Sequence, residues 1–156
     1  MLVAVATAPA LATPAVAAGA EVDEAAGPIV LYDGVCGLCA RSVRWLLKRD
    51  HQRRLRFAPL QGPTAAALRL RYPRIPTSLT SVVLVEAGRV DLRSKVFLRA
   101  ARHLRWPWRA LGALAWLPGW LLDPGYLLVA RVRYRVWGKF DTCQVPDPAA
   151  RSQLLP

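Results

Sequence analysis

A short apolar run that leads directly into a pair of cysteines constrains the fold of this chain most. Ile29–Tyr32 is typical of a buried strand, Asp33 and Gly34 of a turn, and Cys36 and Cys39 open an amphipathic, arginine-rich helix. Cysteines three positions apart in a first helical turn lie on one face and can close a small disulfide ring. The free N–H groups at a helix N-terminus also stabilise a thiolate. The segment therefore predicts a redox site.

Strands and helices alternate along the rest of the chain. Ala87 and Gly88 form a tight turn between two strands, and Ser94 is a suitable N-cap for the helix that follows. This order predicts a mixed α/β sandwich, with extra helices at the C-terminal end. The further strands are predicted at Arg54–Ala58, Ser81–Glu86 and Arg89–Leu92, and the further helices at Thr64–Tyr72, Lys95–Leu104, Arg109–Leu117 and Tyr126–Val136.

The 156 residues suffice for one domain, and 54% of them are hydrophobic, which is enough for a packed core. Residues 1–27 are rich in Ala and Pro, contain no Lys or Arg, and are interrupted by Pro9 and Pro14. We therefore expect a disordered tail or an over-long start, and favour both over a secretory signal peptide. The domain is predicted at 28–146, and residues 147–156 are predicted to be a C-terminal tail.

Three cysteines are too few for a disulfide-stabilised secreted scaffold. A structural zinc site needs four ligands, and beyond the pair the chain offers only His51, His103 and Cys143, singly spaced. A redox pair is therefore favoured over a metal site and over two inert buried cysteines. We predict no metal and no cofactor. For Cys143, we favour a partly buried thiol without a redox role over a third redox thiol.

The chain carries a net charge of +12, almost all of it from arginine. Such a charge suits nucleic acid or an anionic membrane surface, or it reflects a compositional bias of the whole chain. No nucleic-acid-binding motif accompanies the arginines, so nucleic acid is the weakest interpretation. The chain is expected to be a monomer, and the lack of a convincing signal peptide favours the cytoplasm.

A tryptophan-rich stretch begins after the third predicted helix. It is too short to span a bilayer, which needs about 20 apolar residues, and Pro118 and Gly119 interrupt it. A helical hairpin packed on the domain is favoured, and a peripheral membrane contact remains open. The tryptophans concerned are Trp106, Trp108, Trp116, Trp120 and Trp137.

The cysteine motif extends beyond its two sulfur atoms. The sequence Tyr-Asp-Gly-Val-Cys-x-x-Cys at 32–39, the basic helix and Arg-Phe-Ala-Pro-Leu-Gln at 56–61 closely resemble the DCC family of predicted thiol-disulfide oxidoreductases. The resemblance runs from about Pro28 to Pro146 and includes 82–88, 134–138 and Cys143. It implies a thioredoxin-like fold and a reaction type, but no particular substrate. The chain departs from the family at Ser94-Lys95-Val96, where members tend to carry Ser-Asp-Ala.

Chemistry assigns roles to the three residues of the motif. Cys36 is expected to be the attacking thiolate and the more exposed of the pair, and Cys39 is expected to resolve the mixed disulfide. Asp33 has two interpretations: it is a general base that takes the proton of Cys39, or it satisfies N–H groups in the turn. An adjacent carboxylate raises thiol pKa values, so Asp33 is not expected to activate Cys36 electrostatically.

Three further residues are candidates for the approach of a substrate. Gly34 and Gly37 give the loop freedom and allow another backbone to come near the sulfur atom. Pro76 is a candidate for a cis-proline facing Cys36, although a trans loop proline is the default. If Pro76 is trans, Thr80 or Ser81 is expected to occupy that place.

The sequence thus predicts a thiol-disulfide oxidoreductase acting through Cys36 and Cys39 on an unidentified thiol or disulfide. The alternative is a non-catalytic module that docks on a membrane or a protein through its basic helix and tryptophan-rich hairpin.

Overall fold

The structure, a computed structural model, describes residues 22–78, 81–141 and 148–156. Its centre is a four-stranded mixed sheet with the strand order β2-β1-β3-β4. β1 pairs in parallel with β2 and antiparallel with β3, and β3 pairs antiparallel with β4. The strands are β1 (Ile29–Tyr32), β2 (Arg56–Pro59), β3 (Val83–Glu86) and β4 (Arg89–Leu92).

Four α-helices and three short 3-10 helices surround the sheet within the described ranges. The predicted elements are present, and the segment predicted as a helix at Arg109–Leu117 forms a 3-10 helix over Trp108–Trp116. The last helix, however, begins seven residues earlier than expected, because it continues through Pro124. One proline near a helix start removes one backbone hydrogen bond, and packing against two neighbouring helices compensates for that loss. The helices are α1 (Gly37–Arg49), α2 (Pro63–Arg71), α3 (Ser94–Ala101) and α4 (Gly119–Trp137); the 3-10 helices are Glu24–Ala26, Trp108–Trp116 and Pro148–Gln153.

The two central strands are buried on both faces, as expected for apolar runs without alternation. Val30 and Leu84 point to one side, where α1 and α3 pack, and Leu31 and Val83 point to the other, where α2 packs. Each large side chain buried in this way contributes about 1.5–3 kcal/mol. The predicted α/β class is confirmed, and the arrangement is consistent with a thioredoxin-like fold.

The predicted N-cap role of Ser94 is wrong. Arg93 occupies the N-cap position of α3 with a φ of 60°, and Ser94 is the first helical residue. The hydroxyl of Ser94 instead donates a hydrogen bond of 2.6 Å to the carboxylate of Asp123 on α4. The hydroxyl of Ser94 therefore bonds to a side chain on α4 and does not cap the start of α3.

Segments on both sides of the predicted domain pack against it. The carbonyl of Gly27 accepts a hydrogen bond of 2.9 Å from Arg56, and the N–H of Leu155 donates one of 2.8 Å to the carbonyl of Phe57. β2 is an edge strand, and residues 154–155 cover its outer edge. Residues 154–155 of the predicted C-terminal tail thus contact the sheet, whereas residues 1–21 of the predicted N-terminal tail lie outside the described residues.

Trp108 of the tryptophan-rich segment is half-buried against the domain. Trp108 packs edge-on against Trp45 of α1, with a ring distance of 4.9 Å, and the guanidinium of Arg49 lies over both rings. Trp106, Trp116 and Trp120 remain between 76% and 83% exposed. Across the described ranges, none of the helices combines the length and the apolar character that a membrane span requires.

Candidate functional site

The two cysteines lie at the start of α1. Cys36 occupies the N-cap position, and its carbonyl accepts the first intrahelical hydrogen bond, of 3.0 Å, from Ala40. Cys39 lies in the first turn, so both side chains are near the end of β1 and the positive end of the helix. Both are free thiols, and both are buried.

The environment separates the pKa values of the two thiols. The Cys39 thiol donates a hydrogen bond to Cys36, and the backbone N–H of Cys39 and the charge of Arg133 add to this effect. Together they lower the pKa of Cys36 to about 6, although burial alone would raise it. The pKa of Cys39 moves in the opposite direction, because this thiol is the donor to Cys36 and is itself buried. Cys36 is therefore the thiolate near neutral pH, and Cys39 holds the proton.

A buried arginine that the sequence analysis missed joins the cysteines to the carboxylate. Arg133 is 4% exposed and extends from α4 into the site. Its Nη1 lies 3.8 Å from the sulfur of Cys39, and its Nη2 lies 3.1 Å from Oδ2 of Asp33. Arg133 falls at helical spacing with Tyr126 and Ala130, which also face inward. The position of an arginine on the inward face of an amphipathic helix could therefore have identified Arg133 as a site residue from the sequence.

The carboxylate of Asp33 accepts hydrogen bonds from four groups of the described residues. Oδ1 accepts hydrogen bonds from the N–H of Val35 at 3.1 Å and from the side chain of Gln61 at 3.2 Å. Oδ2 accepts from Arg133 and from the hydroxyl of Tyr134. The bond to Val35 is the turn-stabilising contact that one of the two interpretations of Asp33 predicted. The carboxylate also binds the same guanidinium as Cys39.

Tyr134 and Gln61 complete this polar cluster, and neither was singled out as a site residue. Burial and the hydrogen bond to Asp33 raise the pKa of Tyr134 to about 12, so the phenol keeps its proton and donates a hydrogen bond to the carboxylate. Gln61 is the last residue of the Phe-Ala-Pro-Leu-Gln segment, and its Oε1 accepts a hydrogen bond of 3.3 Å from the N–H of Gly34. The segment therefore anchors the turn before the cysteines.

The expectation that Cys36 is the more exposed thiol is wrong. Cys36 is 0% exposed and Cys39 is 5% exposed. Residues 138–140, which we call the strap, run antiparallel to 35–37: Gly37 donates to the carbonyl of Gly138 at 3.3 Å, and Phe140 donates to that of Val35 at 2.8 Å. The strap covers Cys36 because the chain leaving α4 pairs with the loop that carries this cysteine.

The two glycines of the loop have different surroundings. A Cβ at Gly37 would overlap the carbonyl oxygen of Trp137, so the absence of a side chain allows the end of α4 to approach. The backbone that approaches therefore belongs to the same chain. Gly34 lies in the turn, where its N–H is bonded to Gln61.

Pro76 does not supply a cis peptide bond to the site. Its carbonyl instead bonds to a side chain of α2. Within the described ranges the cis peptide bond is Trp106–Pro107, so the bond from Ile75 to Pro76 is trans, as the default expectation had it. The carbonyl of Pro76 accepts a hydrogen bond of 3.2 Å from Arg69. Thr80, one of the two alternatives, lies outside the described residues, and Ser81 hydrogen bonds to Tyr126.

A cavity of about 310 Å³ reaches Cys39 from between α1, α3 and α4. Its walls are mostly apolar, and Val82, Phe97 and Val129 contribute to them. The hydroxyl of Tyr126 lines the same space and accepts a hydrogen bond of 3.1 Å from the N–H of Val82. The cavity therefore leads to the sulfur of Cys39, whereas the strap lies over Cys36.

The histidines considered as metal ligands lie far apart in sequence and follow different helices. His103 pairs with Glu86 at 2.9 Å, and His51 is exposed on the loop after α1. Within residues 22–78, 81–141 and 148–156, no three His, Cys, Asp or Glu side chains are grouped so that they could hold a metal ion. Cys143 lies outside the described residues.

The chain is similar to two known proteins and to one family model. The chain is 35% identical over 129 residues to the uncharacterized protein YuxK of Bacillus subtilis, covering 82% of this chain and 93% of that protein. It is 36% identical over 119 residues to a chloroplastic DCC family protein of Arabidopsis thaliana, covering 76% and 69%. No solved structure gives a significant match. The family model of the DCC1-like thiol-disulfide oxidoreductases matches residues 30–139, which span both cysteines and Arg133, and the chain belongs to this family.

Proposed function

We propose that this protein exchanges thiols and disulfides through the pair Cys36 and Cys39. One observation carries the proposal: the two thiols lie in the first turn of α1, hydrogen bonded to each other, with Nη1 of Arg133 3.8 Å from the sulfur of Cys39. This arrangement lowers the pKa of Cys36 to about 6 and raises that of Cys39. Exchange needs one thiol that is already ionised and a second that keeps its proton until the resolving step. The hydrogen bond between the two thiols and the charge of Arg133 support this division of roles.

In the reducing direction, the Cys36 thiolate attacks one sulfur of a substrate disulfide. The substrate S–S bond breaks, one substrate thiolate leaves, and a mixed disulfide forms on Cys36. Cys39 then loses its proton and attacks the sulfur of Cys36, which forms the Cys36–Cys39 disulfide and releases the second substrate thiolate. The substrate gains two electrons and the protein loses two. The same steps in reverse oxidise a substrate dithiol.

Asp33 is the proposed acceptor of the proton that leaves Cys39. The carboxylate and the Cys39 sulfur bind the same guanidinium, so Arg133 keeps both groups in one cluster. The purely structural alternative is that Asp33 only holds the turn and Arg133. The rate of decay of the mixed disulfide in Asp33→Asn separates them: a slower resolving step supports proton transfer, and an unchanged step supports the structural role.

Substrate access requires the strap to move away from Cys36, because the thiolate is fully covered. Within the described residues, two backbone hydrogen bonds join the three residues of the strap to the loop, so we propose that a local opening is sufficient. In a reducing compartment such as the cytoplasm, the pair would be held as thiols and the protein would act as a reductant.

Reduction of insulin or of glutathione disulfide tests the proposal. Cys36→Ser should abolish turnover, and Cys39→Ser should accumulate the mixed disulfide, which intact-mass spectrometry detects. Cys143→Ser is the matched control for the loss of a thiol, and it should retain the wild-type rate. Equal rates for wild type and Cys36→Ser would exclude the proposed activity.

A further inference from the structure

Exposed apolar side chains are concentrated in one part of the molecule. Of the twelve large hydrophobic residues that are exposed among the described residues, Leu70 alone lies outside 106–140. The remaining eleven lie on the Trp108–Trp116 3-10 helix, on α4 and directly beside them. A soluble monomer normally scatters such residues singly over its surface, so this concentration indicates a binding surface.

The densest part is the corner where the 3-10 helix ends and α4 begins. Trp116 and Trp120, 80% and 76% exposed, flank the two-residue connection between the elements. Leu121 and Leu128, 53% and 65% exposed, continue the outward side of α4, opposite Arg133. We call these four residues the apolar corner.

Basic residues border the apolar corner. Arg131 and Arg135 are exposed and lie three and seven positions after Leu128, so they continue the same side of α4. Residues 105–139 contain six basic residues, of which Arg133 is buried and paired with Asp33, and one acidic residue, Asp123. The carboxylate of Asp123 is already bonded to Ser94 and Arg93. The border of the apolar corner is therefore positively charged.

An anionic lipid surface matches both properties of this face. Exposed tryptophans partition into the boundary between headgroups and acyl chains, and neighbouring arginines gain from the negative surface potential. A second copy of the chain matches less well, because it would bring two segments of the same net positive charge together. We propose that the apolar corner, with Arg131 and Arg135, binds the surface of a negatively charged membrane peripherally.

Co-sedimentation with lipid vesicles tests this proposal on the full chain. Wild type should bind vesicles of phosphatidylglycerol and phosphatidylcholine, and should bind pure phosphatidylcholine roughly tenfold more weakly. High salt should reduce binding to the mixed vesicles. The double variant Arg131→Gln/Arg135→Gln should lower the affinity for mixed vesicles by roughly tenfold, and Trp116→Ser/Trp120→Ser by at least as much.

Two control variants match these changes elsewhere on the surface. Leu70→Ser removes the 87% exposed leucine that lies outside 106–140, and Arg41→Gln/Arg44→Gln removes two exposed arginines of α1. Both should bind mixed vesicles like wild type. No binding by wild type, or equal losses in the control variants, would overturn the proposal. A dimer that the tryptophan variant dissociates in sedimentation velocity would overturn it in favour of self-association. The binding readout does not depend on Cys36, so its failure leaves the proposed exchange reaction untouched.

Discussion

The loop that carries the cysteines and the helix α4 contribute to the same site in different ways. The loop supplies both sulfur atoms, the turn carboxylate and the helix-start N–H groups within seven residues, 33–39. α4 supplies a buried cation from 94 positions beyond Cys39, and the chain leaving it covers Cys36. The comparison shows that a local motif places the thiols, whereas a distant segment contributes to their charge balance and covers Cys36.

The largest effect is expected where the two regions share a buried charge pair. Arg133→Met leaves the Asp33 carboxylate buried without its cation and should lower the free energy of unfolding by about 3–5 kcal/mol in chemical denaturation. Arg135→Met, on the exposed side of the same helix, should change it by less than about 0.5 kcal/mol. If Arg133→Met does not fold, the double variant with Asp33→Asn should regain part of the stability. Similar values for the two single methionine variants would contradict the role given to α4.

The next effect concerns the pKa of Cys36 and its dependence on Cys39. In a Cys143→Ser background, the alkylation rate of Cys36 should rise with pH around a midpoint of about 6. Cys39→Ala removes the strongest donor and should move this midpoint upward by one unit or more, equivalent to about 1.4 kcal/mol, while Cys39→Ser keeps a donor and should move it less. A midpoint that is the same in all three proteins would show that Cys39 does not stabilise the thiolate.

The same pKa difference should make the stability of the reduced protein depend on pH. The folded pKa of Cys36 is lowered, so its contribution is lost below about 6 and grows as the pH rises towards the ordinary value of 9.0. The folded pKa of Cys39 is raised, so its contribution is present below 9.0 and is lost above it. The free energy of unfolding attributable to the pair should therefore be greatest near pH 9. Chemical denaturation of the double variant Cys36→Ser/Cys39→Ser gives the reference curve.

A smaller effect tests the close approach of the two regions. Gly37→Ala places a methyl group against the carbonyl of Trp137 and should cost about 1–3 kcal/mol, because the end of α4 must shift. Gly125→Ala is the matched control: nothing lies within 4 Å of its Cβ, and alanine in a helix is more favourable by up to about 1 kcal/mol. Thermal unfolding measures both. Equal stability of the two variants would mean that the contact at Gly37 is not tight.

The smallest effect is expected at the hydroxyl of Tyr134. Tyr134→Phe removes one donor to Asp33 but keeps the ion pair with Arg133, so the loss of unfolding free energy should be about 1 kcal/mol. Tyr72→Phe removes a hydroxyl that donates to Glu24 at the edge of the molecule, and it should cost less. Chemical denaturation compares the two. A larger cost at Tyr72 would contradict the importance assigned to the buried cluster.

Much of the fold could be predicted because apolar periodicity and turn residues act locally. The β3–β4 turn, the strand before Cys36 and the amphipathic α1 lie where the pattern placed them. Arg133 and Tyr134 were missed as site residues, since periodicity shows which residues face inward but not which groups they meet across the fold. The cover over Cys36 was missed for the same reason: its hydrogen bonds join segments about one hundred residues apart.

The redox equilibrium of the wild-type protein with glutathione tests the central claim most directly. We predict one two-electron transition in which mass spectrometry finds the disulfide between Cys36 and Cys39. We also predict that Arg133→Met lowers its reduction potential, because the pKa of the Cys36 thiol rises when the cation is lost. Failure to form this disulfide under any glutathione ratio, with Cys36 remaining a thiol in the folded protein, would contradict the assignment of the pair as a redox site.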